Sequence, residues 1–158
     1  MREIIAQKLW IGNARDTCDL SRVHDLGIHA VIDLAFEEPP PQLTRDLTYC
    51  RFPVVDGSGN APELLYSAIA TTSMLIRKQV PLLIACSAGM SRSPSILAAS
   101  LALVHGQSPD ATLQKLIEGN PHDVSPPLWA DVKNAYNELV DSYDRVPGGT
   151  SAPGGTRR

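Results

Sequence analysis

Two hydrophobic periods alternate along the chain. Near-continuous apolar runs at 28–34 and 82–85 read as strands buried on both faces of a parallel sheet. Two further strands are predicted at 8–12, ending in a turn at Gly12-Asn13, and at 47–55. Between them the period lengthens. Leu20, Val23 and Leu26 form a stripe on a helix over 18–26, capped by Asp16 and stopped at Gly27. Pro62 and Glu63 open a helix to about residue 78, with Leu65, Ile69, Thr72 and Ile76 facing inward. A helix over 93–104 ends at Gly106, Ser108-Pro109-Asp110 starts another over 111–118, and Pro126-Pro127 opens the last, through 143.

Residues 37–41, Glu-Glu-Pro-Pro-Pro, fit neither helix nor central strand and read as an extended surface loop. Residues 56–60, Asp-Gly-Ser-Gly-Asn, form a polar loop after a strand. Strands separated by helices, then helices alone, predict an α/β domain with a central, mostly parallel sheet flanked by helices. Ligands bind at the carboxyl ends of strands in such sheets. The loops that follow residues 55 and 85 are therefore expected on one rim.

With 158 residues the chain is long enough for one domain, expected over 1–144. The Gly/Pro-rich stretch 145–158 has too little apolar content to fold and is expected to be disordered. The net charge of -3 and the lack of a basic run argue against nucleic acid or an anionic membrane as partner. No apolar stretch is long enough to span a bilayer, and the first residues lack a signal-peptide shape. Cys18, Cys50 and Cys86 are odd in number and widely spaced, which fits reduced thiols of a cytoplasmic protein. The four histidines show no ligand spacing, and neither a metal nor another cofactor is expected. A monomer is the expectation at this size.

The chemistry concentrates in Cys86-Ser87-Ala88-Gly89-Met90-Ser91-Arg92, between the apolar run and the helix that begins at Ser93. A loop at a helix N-terminus turns free N–H groups inward and makes an anion site. Arg92 adds a planar fork for two phosphate oxygens. Gly89 permits a tight turn, and Ser87, Ala88 and Ser91 are small enough to let an oxyanion approach. A cysteine at the mouth of such a loop is expected to have a lowered pKa. Ser93 lies beside the arginine, within reach of the sulfur. A thiol and a phosphate cradle together imply phosphoryl transfer to sulfur. A lone cysteine after an apolar strand is otherwise a small buried hydrophobe, so it is the surrounding loop that carries this reading.

Transfer from an ester also needs an acid to protonate the leaving oxygen. Asp56, after a strand and before Gly57, is placed for that. An aspartate before glycine is also a common turn residue, and its spacing alone favours that role. Asp33 is the other candidate, but it lies within a strand.

Beyond this loop, the chain resembles the dual-specificity branch of the cysteine-based protein phosphatases over about residues 9–139. The resemblance rests on Leu9-Trp10-Ile11-Gly12-Asn13-Ala14, on Gly27-Ile28-His29-Ala30-Val31-Ile32-Asp33-Leu34, on Phe52-Pro53-Val54-Val55-Asp56, on the cysteine loop with Ser93-Pro94-Ser95, and on the segment from Asn120-Pro121 to Leu128-Trp129. It implies Cys86 as nucleophile, Arg92 and residues 87–91 as phosphate binders, Asp56 as general acid, and Ser93 as an aid to thiolate departure. The implied substrate is a phosphorylated protein. The family usually has histidine before the cysteine, and here that place is Ala85. This departure favours a slower enzyme, or alternatively a phosphate binder without turnover. The neutral loop positions 87, 88, 90 and 91 favour a doubly charged monoester over polyphosphorylated substrates. A third reading, redox or sulfur transfer, needs Cys50 or Cys18 to fold next to Cys86.

Overall fold

The computed structural model describes residues 1–144, and the predicted disordered stretch 145–158 lies outside the described residues. Five strands and six helices follow in the order β1 (Arg2–Ile5), β2 (Leu9–Asn13), α1 (Ala14–Cys18), α2 (Leu20–Asp25), β3 (Ala30–Ala35), β4 (Thr48–Val54), α3 (Pro62–Arg77), β5 (Leu82–Cys86), α4 (Arg92–His105), α5 (Pro109–Ile117) and α6 (Pro126–Asp144). The sheet order is β1-β2-β5-β3-β4. Only β1 runs antiparallel. The expected α/β architecture is therefore the observed one, with β5 at the centre and its carboxyl end open to the rim.

Every residue of β3 and of β5 is buried, as their apolar runs require. One face of the sheet packs Trp10, Val31 and Leu83 against Val23 of α2 and Ile28. The other packs Leu9, Ile32 and Ile84 against α3, α4 and α6 in the main core. Helix α4 is buried all round from Arg92 to Ala102. A helix apolar on every side belongs in the middle of a core, and α4 contacts α3, α5, α6 and β5. None of the described helices is long and apolar enough to cross a membrane.

Two local expectations need correction. The helix predicted over 18–26 is two helices. Asn13 caps α1 by accepting from the Asp16 backbone N–H, and the Asp16 carboxylate accepts from the Asn13 N–H in return. Asp19 then caps α2 by accepting from Arg22 N–H. Asp16 is thus the third helical residue of a capping box rather than its cap, and Asn13 is a cap rather than part of a turn. The edge strand β1, unpredicted, pairs Glu3 with Trp10.

Candidate active site

Residues 86–92 connect the end of β5 to the start of α4. Cys86 is buried, and its Sγ accepts a hydrogen bond from the Gly89 N–H at 3.2 Å. Gly89 has φ of 75°, and a Cβ there would stand 2.8 Å from the Gly12 carbonyl oxygen. The loop therefore lies directly on the end of β2, and only glycine makes that approach. Ala14 N–H donates to the Ser87 carbonyl at 3.3 Å, and Asp123 N–H to the Met90 carbonyl at 3.0 Å. These contacts give the motifs at residues 9–14 and 120–129 a physical purpose: both are walls of the loop.

Arg92 opens α4, where the first N–H groups lack intrahelical partners. Its guanidinium is only 3% exposed, so each of its donors needs a partner. Nη1 donates to Glu37 Oε2 at 2.6 Å and to the Val54 carbonyl at 3.0 Å. Nη2 donates to Glu37 Oε1 at 2.6 Å and to Ser87 Oγ at 3.0 Å. Nε has no partner among the described residues. Burial works against the charge, but Glu37, the Cys86 sulfur and Asp56 outweigh it and raise the Arg92 pKa. Hydrogen bonding to Arg92, opposed by some desolvation and aided by the Ser87 hydroxyl, pulls Glu37 down to about 2.

Asp56 comes to the same rim. Its Oδ1 accepts from Ser91 Oγ at 2.6 Å, and Ser91 Oγ in turn accepts from Ser125 N–H at 3.3 Å. The Asp56 loop is shaped by Asn60, whose side chain accepts from Val55 N–H and donates to the carbonyls of Val55 and Gly57. Asp56 itself is exposed. Ser93 is fully buried, and its hydroxyl makes no hydrogen bond to Cys86 or to any other described residue.

The structure thus brings Cys86, Ser87, Gly89, Met90, Ser91, Arg92 and Asp56 to one rim, with Ala88 in the same loop. Asp33 is occupied elsewhere: it is buried and accepts from Tyr49 Oη and from Ala35 N–H. Sequence reasoning missed Glu37 and Asn60. The available signal for Glu37 was its place just past the end of a buried parallel strand, on the rim where ligands bind. Cys50 pairs with Ile32, and Ile32 with Ile84. It therefore lies two strands from β5, about 10 Å away at ordinary strand spacing, too far for a disulfide with Cys86.

No protein-family model matches the sequence, and no curated protein matches it either. Solved structures do. Human DUSP28 superposes with a TM-score of 0.75 at 20% identity, covering 90% of this chain and 99% of that one. DUSP15 gives 0.62 at 23% identity over 89% and 95% of the two chains. The human tyrosine phosphatase-like serine/threonine/tyrosine-interacting protein gives 0.67 at 18% identity over 90% and 97%. With the cysteine loop lying between the central strand and its helix, the chain has the fold of the dual-specificity phosphatases.

Proposed function

We propose that the chain is a dual-specificity protein phosphatase, hydrolysing phosphotyrosine and phosphoserine/threonine monoesters through a phosphocysteine intermediate. The Ser91–Asp56 hydrogen bond carries this reading, because it ties a carboxylate to the loop that holds the thiol. A turn-forming aspartate has no need of that tie. Asp56 Oδ2 has no hydrogen-bond partner among the described residues, which leaves it to serve the leaving group.

In the first step Cys86 Sγ attacks phosphorus, the S–P bond forms, and the P–O ester bond breaks. Asp56 gives its proton to the leaving oxygen. Arg92 and the N–H groups at the start of α4 take up the charge on the equatorial oxygens. In the second step water attacks phosphorus, Asp56 accepts its proton, the sulfur leaves, and inorganic phosphate is released. Ser93, with its unpartnered buried hydroxyl, donates to the departing sulfur.

The rim supports a monoester of an apolar or aryl group. Phe36, Val55 and Met90 are exposed there, next to Glu37, next to Asp56, and within the loop. Glu37, Glu38 and Asp56 oppose additional phosphate charge. The test is hydrolysis of para-nitrophenyl phosphate and of phosphotyrosyl and phosphothreonyl peptides, with a metal chelator present. Turnover that vanadate blocks and Cys86→Ser abolishes is expected. Vanadate binding without turnover would instead make the chain a phosphate binder, the reading that Ala85 favours. Binding of neither vanadate nor phosphate would remove both.

A further inference from the structure

We propose that the cavity at the end of the sheet opposite the cysteine loop is a binding site for a small amphipathic carboxylate, an alkyl chain with one anionic head group. None of its lining residues belongs to the phosphate loop, so the site does not depend on whether the chain turns over phosphoesters.

The cavity has a volume of about 370 Å³ and lies between the β1–β2 turn, the turn from α3 into β5, and the end of α4. Leu9 and Val80 set it beside the starts of β2 and β5, whereas the cysteine loop follows the carboxyl end of β5. Small-molecule sites span about 300–1,000 Å³, so a ligand here is small. Leu9, Ile76, Val80 and Val104 give the cavity apolar walls, and Ile5 beside them is 39% exposed. Lys8, Arg77 and His105 line the same space, and no acidic residue does. Lys8 Nζ donates to the neutral Gln79 Oε1 at 2.6 Å, and Arg77 Nη2 to the Leu103 carbonyl at 3.2 Å. Among the described residues no carboxylate pairs with Lys8 or Arg77. Apolar walls edged by unneutralised cations are complementary to an apolar chain with an anionic head.

The head group follows from the two helices. Both α3 and α4 end at the cavity, with Arg77 and His105 in their last turns. The negative pole of a helix C-terminus opposes a dianion, so a singly charged carboxylate fits better than a phosphate. Arg77 and His105 also offset those poles, which leaves Lys8, on no helix, as the main cation for the ligand. The backbone around Lys8 is strained. Gln7 and Gln79, each with φ of 56°, are the two non-glycine residues with positive φ among the described residues. Gln79 ends α3 in the left-handed turn, with its N–H donating to the Ile76 carbonyl and the Val80 N–H to the Leu75 carbonyl. Glycine is the inexpensive residue for such a turn, and α4 uses it at Gly106. Glycine at position 79 would remove the acceptor that holds Lys8 across the cavity edge. Strain kept for the sake of a side chain is a mark of a functional site.

The experiment is calorimetric titration of decanoate into the full chain. Saturable binding of one decanoate per chain is expected. Hexanoate, with less chain to bury, should bind weaker by about tenfold or more. Decyltrimethylammonium, a chain of the same length with the opposite charge, should not bind, although the net charge of -3 favours it non-specifically. Lys8→Gln keeps a polar partner for Gln79 but removes the charge, and should weaken decanoate about fivefold. Lys115→Gln makes the same charge change at an exposed position of α5 and should stay within about twofold of the parent. Saturating vanadate should leave decanoate affinity unchanged. Heat without saturation through the millimolar range would overturn the proposal, as would an unchanged affinity in Lys8→Gln or an equal loss in Lys115→Gln. Binding of the ammonium compound as tight as that of decanoate would refute the anionic head group, and loss of decanoate binding in vanadate would refute the location.

Discussion

Alanine at position 89 separates the conformational part of the loop from its packing. At φ of 75° the added Cβ enters a backbone region that alanine avoids, at a cost of about 1–2 kcal/mol. It also arrives 2.8 Å from the Gly12 carbonyl oxygen and 3.1 Å from its carbon. Strand β2 has no room to retreat, since a Cβ on Gly12 would itself stand 2.9 Å from Leu83 Cδ1. The loop must move instead, and the Gly89 N–H leaves the sulfur. Gly106 supplies the control: its φ is 62°, but nothing lies within 4 Å of an added Cβ. Gly106→Ala should show the conformational cost alone, about 2–8 °C in Tm for a domain this size, with turnover unchanged. Gly89→Ala should lose more in Tm and about a hundredfold in kcat/KM, the penalty for displacing catalytic groups by about an ångström. Melting curves and aryl phosphate kinetics on the two variants decide the matter. If Gly89→Ala kept activity within threefold of Gly106→Ala, the claim that β2 props the loop would be wrong.

Asp56→Asn should slow hydrolysis of a phosphotyrosyl ester far more than that of an ester with a good leaving group, and Ser91→Ala should reproduce part of this selectivity by releasing Asp56. Equal losses for both ester types would argue against an acid role. Glu37 contributes to stability through a lowered carboxyl pKa, about 2 against an ordinary 4.5. The contribution is therefore complete above pH 4.5 and fades as pH falls toward 2. Because the side chain is 51% exposed, solvent screening holds it to about 1 kcal/mol or less. The difference in unfolding free energy between the parent and Glu37→Gln should thus be present at neutral pH and shrink in acid; a difference that grows in acid would contradict the pairing. Histidine at position 85, buried between Gly12 and Asp33 in the strand register, should lower Tm by overpacking while raising turnover or shifting the acid limb of the pH profile. An unchanged profile would show that the histidine is dispensable here.

Where one residue type serves one physical purpose, the sequence was readable. The runs at 28–34 and 82–85 are apolar because both faces of β3 and β5 are covered. Gly106 stops α4 in the left-handed conformation that glycine tolerates. Cys86 and Arg92 stood out through what surrounds them, a strand, a loop of small residues with Gly89 and a helix start, rather than through their spacing alone. Legibility failed where a residue's partner is remote. Glu37 looked like part of a solvated loop because its role depends on Arg92, 55 positions away. Asp33 looked like a spare acid because Tyr49 and Arg51 are aligned with it only by strand register. The split between α1 and α2 was hidden by two caps three positions on either side of Asp16, and a capping box read from the wrong end puts the helix start in the wrong place.

The absence of histidine at position 85 raises the question of what keeps the loop in shape. Ala85 offers no side-chain hydrogen bond, yet the loop is held from three directions by other groups. Strand β2 and the start of α1 support it through Gly12 and through Ala14 N–H to Ser87. The segment before α6 supports it through Asp123 N–H to Met90 and Ser125 N–H to Ser91. Helix α4 supports it through the N–H and the hydroxyl of Ser95, both donating to the Ser91 carbonyl. Most of these are backbone contacts that do not change charge with pH, so they fix geometry without tuning it. An imidazole would add a titratable donor to the loop, whereas in this chain Glu37 and Asp56 are the carboxylates bonded to loop residues, through Ser87, Arg92 and Ser91. Loop shape thus rests mainly on backbone contacts, and Gly89→Ala, which also takes an N–H from the sulfur, should distort the loop more than Glu37→Gln does.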